Sequence, residues 1–243
     1  MSDKKITLIA QLLAKAEATT PEEAEALTEH AERLMVKYGI DQAIIDERRA
    51  KTGAVSEKII QVQMAFTGPY RGEMIHLGSS VMNGLGTLRA MQYTGGTGKV
   101  FTLYLIGFES DVAQAQVLIA SLQVQSAVAV RAWWKLNKTP YAGENSYTQE
   151  KARRSFVHGF GTGAGSRIRA NRATIVQEAS TGTDLVLVSR KSRVDAFVDA
   201  KTFRKGRSRN ATGQDAAAGQ GYRAGQNANT GEKSINQRGR INA

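Results

Sequence analysis

The sequence predicts an α+β protein: an N-terminal helical hairpin, then a sheet-and-helix domain of ferredoxin-like or related order β-α-β-β-α(-α-)β, then a basic tail rich in small residues. Three observations predict it. Apolar residues recur at helical spacing through the first 45 positions, the period changes to two at Ile60, and positive charge gathers in the last third of the chain. The expected divisions are a hairpin domain at 1–50, an α+β domain at 58–200 and a tail at 201–243, helical in part or disordered.

Ile6, Ile9, Leu12, Leu13 and Ala16 share one helical face. Thr20-Pro21-Glu22-Glu23 then supplies an N-cap, a first-turn proline and a capping-box glutamate, so a second helix opens near Pro21. Its inner stripe is Ala24, Leu27, Ala31, Leu34 and Tyr38, and Gly39 reads as its left-handed C-terminal cap. A short third helix through Ile44 and Ile45 leads into a polar linker near 50–57.

Ile60, Val62, Met64 and Phe66 alternate with Gln61 and Gln63, the pattern of a strand with one wet face. Thr67-Gly68-Pro69 ends it, and a helix follows with Met74, Leu77, Val81 and Leu85 inward, stopped by Gly84 and Gly86. Residues 87–94 and 99–106 read as two strands joined by Gly95-Gly96-Thr97-Gly98. The second, Val100 to Ile106, is apolar on both faces and is expected at the centre of the sheet. Ser110-Asp111 caps a long helix ending near Leu136. A basic helix from about Thr148 to Arg172 follows, and Asp184-Leu185-Val186-Leu187-Val188-Ser189 supplies the fourth strand. Ala216 to Gly225 reads either as a weak helix packed closely on a neighbour or as disorder.

The chain carries no cysteine, which excludes disulfides, thiolate nucleophiles and cysteine-built zinc sites. Its net charge of +11 is unevenly placed. Residues 1–60 hold 9 basic and 11 acidic side chains, 61–150 hold 6 and 5, and 151–243 hold 18 and 6, giving −2, +1 and +12. Such a local excess attracts polyanions. A membrane partner is not expected, because the basic stretch lacks the leucine or aromatic face of an interfacial helix.

Several motifs invite a chemical reading and do not meet it. Gly95-Gly96-Thr97-Gly98-Lys99 resembles a phosphate loop, but Tyr93 stands where that loop needs glycine and Val100 where it needs Ser or Thr. Gly159, Gly161, Gly163 and Gly165 follow no strand, so close helix packing or a local break explains them better than a dinucleotide loop. His30, His76 and His158 lack paired ligand spacing, and a metal site would require two of them to converge by folding. Trp133 and Trp134, beside Arg131, Lys135 and Lys138, either stack bases or divide between core and boundary, the second being favoured. The Phe101 and Leu103 pair does not supply the two strand aromatics of an RNA-recognition module. No catalytic residue, metal ligand or cofactor is assigned.

The remaining signal is basic. Lys151, Arg153, Arg154, Arg167, Arg169 and Arg172, with Lys201, Arg204, Lys205, Arg207 and Arg209, are the candidate nucleic-acid-binding residues.

Ile6 to Tyr38, with its Pro21-Glu22-Glu23-Ala24 start and its Leu34-Met35-Val36-Lys37-Tyr38-Gly39 ending, resembles a domain of unknown function found in phage, prophage and actinobacterial proteins. Gly107-Phe108-Glu109-Ser110-Asp111-Val112 and Ser155-Phe156-Val157-His158-Gly159-Phe160 resemble the second α+β domain that commonly follows it. The resemblance implies a bacteriophage origin and this domain plan, with no activity to carry over. The leading expectation is a non-enzymatic accessory protein in the cytoplasm of the host bacterial cell, binding nucleic acid, DNA sooner than RNA, without marked sequence preference. The alternative is an effector that binds a host protein of the transcription, replication or defence machinery, through the basic patch or the hairpin, whose residues 22–29 hold four glutamates. An enzyme ranks third, and requires Glu109, Asp111 and His158 to meet in one pocket.

Overall fold

The computed structural model describes residues 57–95, 98–179, 182–201 and 215–228. It also describes positions 8, 11, 12, 15, 23, 27, 30, 31, 34, 37–41 and 43–46, all helical. The turn expected between the first two helices, the basic residues Arg204, Lys205, Arg207 and Arg209, and the last dozen positions lie outside the described residues.

The class is α+β. Strands β1 (Ile59–Phe66), β2 (Arg89–Tyr93) and β3 (Phe101–Phe108) form an antiparallel sheet in the order β1-β3-β2. The central place expected of the third strand is observed, and the reason is its sequence: Leu103, Leu105, Ile106 and Phe108 bury both of its faces. Helix α1 (Arg71–Leu85) crosses between β1 and β2, with Met74, Leu77, Val81 and Leu85 buried as expected. Gly86 ends it in the left-handed region, φ 76°, its N–H bonded to the Met82 carbonyl. Helix α2 (Glu109–Asn137) follows β3 directly and buries Val112, Ala115, Leu118, Ile119 and Leu122. By length and composition α2 is apolar enough to cross a membrane. That row of buried residues packs into the main core, as a core helix does.

Helix α3 (Ser146–Glu178) is capped by the Asn145 side chain, which accepts from Thr148 N at 2.9 Å. It is continuous through its four alternating glycines. At about 100° per residue, positions two apart lie nearly opposite one another. The set therefore divides into two small-residue faces. A Cβ on Gly161 would stand 2.9 Å from Leu77 Cα, and one on Gly165 would stand 2.5 Å from the Ser80 carbonyl, both on α1. A Cβ on Gly159 or Gly163 would meet the Ala218 or Tyr222 carbonyl oxygens, 2.0 and 2.1 Å away, on α5 (Ala216–Gln226). Gly221 and Gly225 of α5 return the contact to the Phe156 and Phe160 carbonyls. Backbone thus meets backbone on both sides of α3, a spacing at which Cα–H groups reach carbonyl oxygens. Of the two readings of 216–225, the closely packed helix is the one found.

Three local expectations are corrected. Residues 184–189 are not a strand but the first turns of α4 (Thr183–Asp199). A run of four apolar residues between Asp184 and Ser189 does not separate the two periods. The longer span does, because Thr183, Leu187, Arg190, Val194 and Val198 are the buried positions, three or four apart, while Leu185 and Val188 face solvent. Val194 and Val198 pack on Ile106 and Phe108, so α4 covers the sheet face opposite α1 and α2. Gly39 is helical and is not among the positive-φ glycines. Its missing side chain makes room for Gln114 of α2, whose Oε1 would lie 2.8 Å from a Cβ. Finally, α2 is capped not by Ser110 or Asp111 but by Glu57, whose carboxylate accepts from Ser110 N.

The glycine contacts fix the sign of a substitution. In an open helix interior Gly→Ala gains about 1 kcal/mol, whereas overpacking costs about 1–3 kcal/mol. Gly163→Ala is expected to lower stability by about 1–3 kcal/mol net. Gly219→Ala, where nothing lies within 4 Å of a Cβ, is expected to raise it by up to about 1 kcal/mol. Urea denaturation of both variants checks this, and stabilisation by Gly163→Ala would contradict the packing.

Candidate nucleic-acid interface

The predicted basic residues are placed as follows. On α3, Lys151 and Arg169 are exposed and stand eighteen positions apart, roughly 27 Å of helix. Arg153 lies over the Trp134 ring, 4.9 Å from its centroid. Arg167 donates from Nη1 to the Gln226 and Ala228 carbonyls at 2.6 and 3.3 Å, closing the C-terminus of α5. Arg172 is half-buried beside Gly86, and burial holds its guanidinium below the ordinary value, against the pull of Asp111. Lys201 sits 4.1 Å from the Phe197 ring centroid at the end of α4. Arg154 differs from these in lining a large cleft.

That cleft has a volume of about 730 Å³ and runs along the outer edge of β2, with α1 on one side and Lys191 of α4 on the other. Its chemistry begins at Glu73, which is buried on α1 and accepts from Arg154 Nε at 2.9 Å. Arg154 Nη1 also approaches Glu150 at 3.7 Å, while the arginine side chain stays 41% exposed. A buried carboxylate therefore orients a guanidinium that stays partly open to solvent. The second Glu73 oxygen, Oε2, is buried without a hydrogen-bond partner among the described residues. At the opposite wall Asp195 accepts from Arg89 Nη1 at 3.1 Å and from Lys191 Nζ at 2.6 Å. One carboxylate thus serves two cations and leaves a unit of positive charge at the rim.

His76 and His158 converge after all, although His30 stays exposed on the N-terminal segment. Their rings stack with centroids 3.7 Å apart at 8°. The Thr162 hydroxyl donates to the His158 carbonyl at 3.2 Å and lies 2.9 Å from His76 Nε2. With that proton committed, His76 donates from Nε2 and keeps Nδ1 as an acceptor, an assignment made from the hydrogen-bond network. Burial, reinforced by His158, lowers the His76 pKa to about 4, and burial likewise depresses His158 against the pull of Glu73. Both rings are neutral at pH 7. Among the described residues no group of three His, Cys, Asp or Glu side chains is arranged to hold a metal ion.

The enzyme constellation is not assembled. Asp111 lines a separate, small cavity with Arg172, His158 lines the cleft, and Glu109 is exposed. Asp111 instead belongs to a buried ion network around Arg190, a residue that no motif in the sequence singles out. Arg190 reaches Asp111 at 2.8 Å, Glu57 at 2.7 Å and Asp46 at 3.4 Å, and its guanidinium lies 3.8 Å from the Phe108 ring centroid. Burial works against its charge, yet Asp111 and Glu57 together hold its pKa above the ordinary value. Trp133 and Trp134 divide as favoured: Trp133 is buried, stacked on Phe156 and bonded to Gln220, while Trp134 is half-buried against Tyr141.

Glu73, His76, Ser80 and Asn83 were legible as a polar stripe with helical spacing beside the apolar one of α1. What the sequence could not show was that α3 would lay Arg154 and His158 against it.

With this geometry in hand, comparison with known proteins adds one finding. Residues 5–42 carry a domain of a protein family of unknown function, DUF2786. No curated protein and no solved structure matches the chain. The family match ends before β1, so the cleft lies beyond it.

A histidine depressed in the fold takes up a proton more readily when unfolded, so its contribution is full above about pH 6.5 and is lost as pH falls through about 4. Between those values the wild type is expected to lose stability more steeply than His76→Gln, which has no ring to protonate. Urea midpoints across pH 7 to 4 check this, and parallel slopes for the two proteins would contradict it.

Proposed function

We propose that this chain is a non-enzymatic accessory protein that binds nucleic acid by its phosphates, with little sequence preference. One observation carries the reading. Arg154, oriented by a buried carboxylate, and the Arg89–Lys191 pair on Asp195 border a single cleft. Arginines positioned in this way suit bidentate phosphate contacts. The basic cluster Arg204, Lys205, Arg207 and Arg209, which follows α4 in the sequence, adds sequence-independent attraction. A phage or prophage setting is the context that the sequence resemblance suggests for such a protein.

The test is fluorescence anisotropy with single-stranded DNA, duplex DNA and RNA across a salt series. Truncation after Ala200 would remove α5 and the packing of α3 with it, so point reversals are the cleaner probe. Arg89→Glu with Lys191→Glu, and separately Arg204→Glu with Lys205→Glu and Arg207→Glu, are expected to weaken binding at least about tenfold and to lower the salt slope by about 0.7–0.9 for each phosphate no longer neutralised. No binding to any of the three at low salt would overturn the reading. A protein partner would then be the one to pursue, a reading that the exposed Val124, Val128 and Leu136 on α2 favour.

A further inference from the structure

We infer that the cleft between α1 and the edge of β2 takes one unpaired nucleotide of a single strand, its base against the His76–His158 pair and its phosphate at the arginines. The inference rests on the nucleic-acid reading and names the form of nucleic acid. A phosphate grip alone needs only surface cations, and this site holds more than that.

Four features point to a base. The volume of about 730 Å³ falls within the range of roughly 300–1,000 Å³ typical of sites that enclose small organic ligands. A phosphate oxygen needs far less. The wall is a pair of flat, uncharged imidazoles already stacked at 3.7 Å, and histidine is one of the side chains on which splayed-out bases stack. Ser79, Asn83 and Gln92 also line the cleft and combine donors with acceptors, as recognition of a base edge requires. Lastly, two acceptor sources are unused among the described residues. One is the buried Glu73 Oε2, matched to an exocyclic amino group. The other is the outer edge of β2, which pairs only with β3 and whose residues Arg89 to Gln92 border the space.

A base within a duplex has its Watson–Crick edge occupied and its faces covered by neighbours, so it cannot use such a wall without being taken out of the stack. A single strand presents both its edge and its face without that cost. The cations lie where a strand entering the cleft would bring its backbone: Arg154 at the α3 side, Arg89 and Lys191 at the α4 side.

The experiment uses the full chain with a mixed-sequence single-stranded oligonucleotide, the same sequence as a duplex, and the free mononucleotides. Variants are Asn83→Ala, on an exposed position of α1, and His158→Ala. The expected result is single-strand binding at least about tenfold tighter than duplex binding, with each variant lowering single-strand affinity about tenfold and leaving duplex affinity unchanged. His158→Ala carries a risk to folding, so circular dichroism accompanies it, and Asn83→Ala alone is enough to decide between the outcomes. Equal binding of the two forms, unaffected by Asn83→Ala, overturns the inference while the phosphate-binding reading stands. Binding of mononucleotides with loss of strand preference likewise overturns it, in favour of a free ligand. No binding of either strand form overturns both.

Discussion

The arrangement of this molecule depends on how closely α3 can approach two other helices. Gly161 and Gly165 let it settle on α1, and Gly159 and Gly163 let it settle on α5, with carbonyls and Cα atoms in contact where side chains would ordinarily hold helices apart. The glycines cost helix propensity, about 1 kcal/mol each against alanine, and close packing of two additional helices offsets that cost. The first of these two approaches has a chemical result. Because α1 and α3 meet at the backbone, Glu73 and His76 on one come within reach of Arg154, His158 and Thr162 on the other. A cleft wall is therefore assembled from residues about eighty positions apart in the chain.

Elsewhere a buried charge joins distant parts. Arg190 on α4 holds Asp46 of the N-terminal segment, Glu57 ahead of β1 and Asp111 at the start of α2. Burying an arginine among carboxylates is costly unless the charges are paired, and the aromatic face of Phe108 beneath the guanidinium adds to the pairing. The network fixes where α4 lies on the sheet, and with it Lys191, which lines the other side of the cleft and is paired with Asp195. Glu57 contributes twice, since it also caps α2 through Ser110 N.

Much of the fold was legible because its signals are local. The alternation from Ile60 to Phe66, the two-faced apolar run in β3 and the stripe of α1 each announced an element and its buried side. The failures share one cause, a local pattern overruled by a distant partner. Residues 184–189 read as a short apolar strand, but the inner row of α4 includes Arg190, a position that no apolar pattern would count as buried. Gly39 resembled a helix stop, and its use is to admit Gln114 from α2. The candidate site was legible in the same measure. Its charge was visible on α3, but Arg153 serves an aromatic ring and Arg167 a helix end, and the cleft needed Arg89, Glu73 and His76 from elements without a charge signature.

On the proposed reading nucleic acid enters the cleft itself, and does not merely adhere to the basic segment after α4. Hydrogen–deuterium exchange of the full chain, with and without a saturating single-stranded oligonucleotide, separates the two by location. Slower exchange on binding in the outward-facing amides of Arg89–Tyr93 and along α1 from Gly72 to Asn83 is the predicted result. Protection confined to residues 201–209, with the β2 edge unchanged, would contradict it.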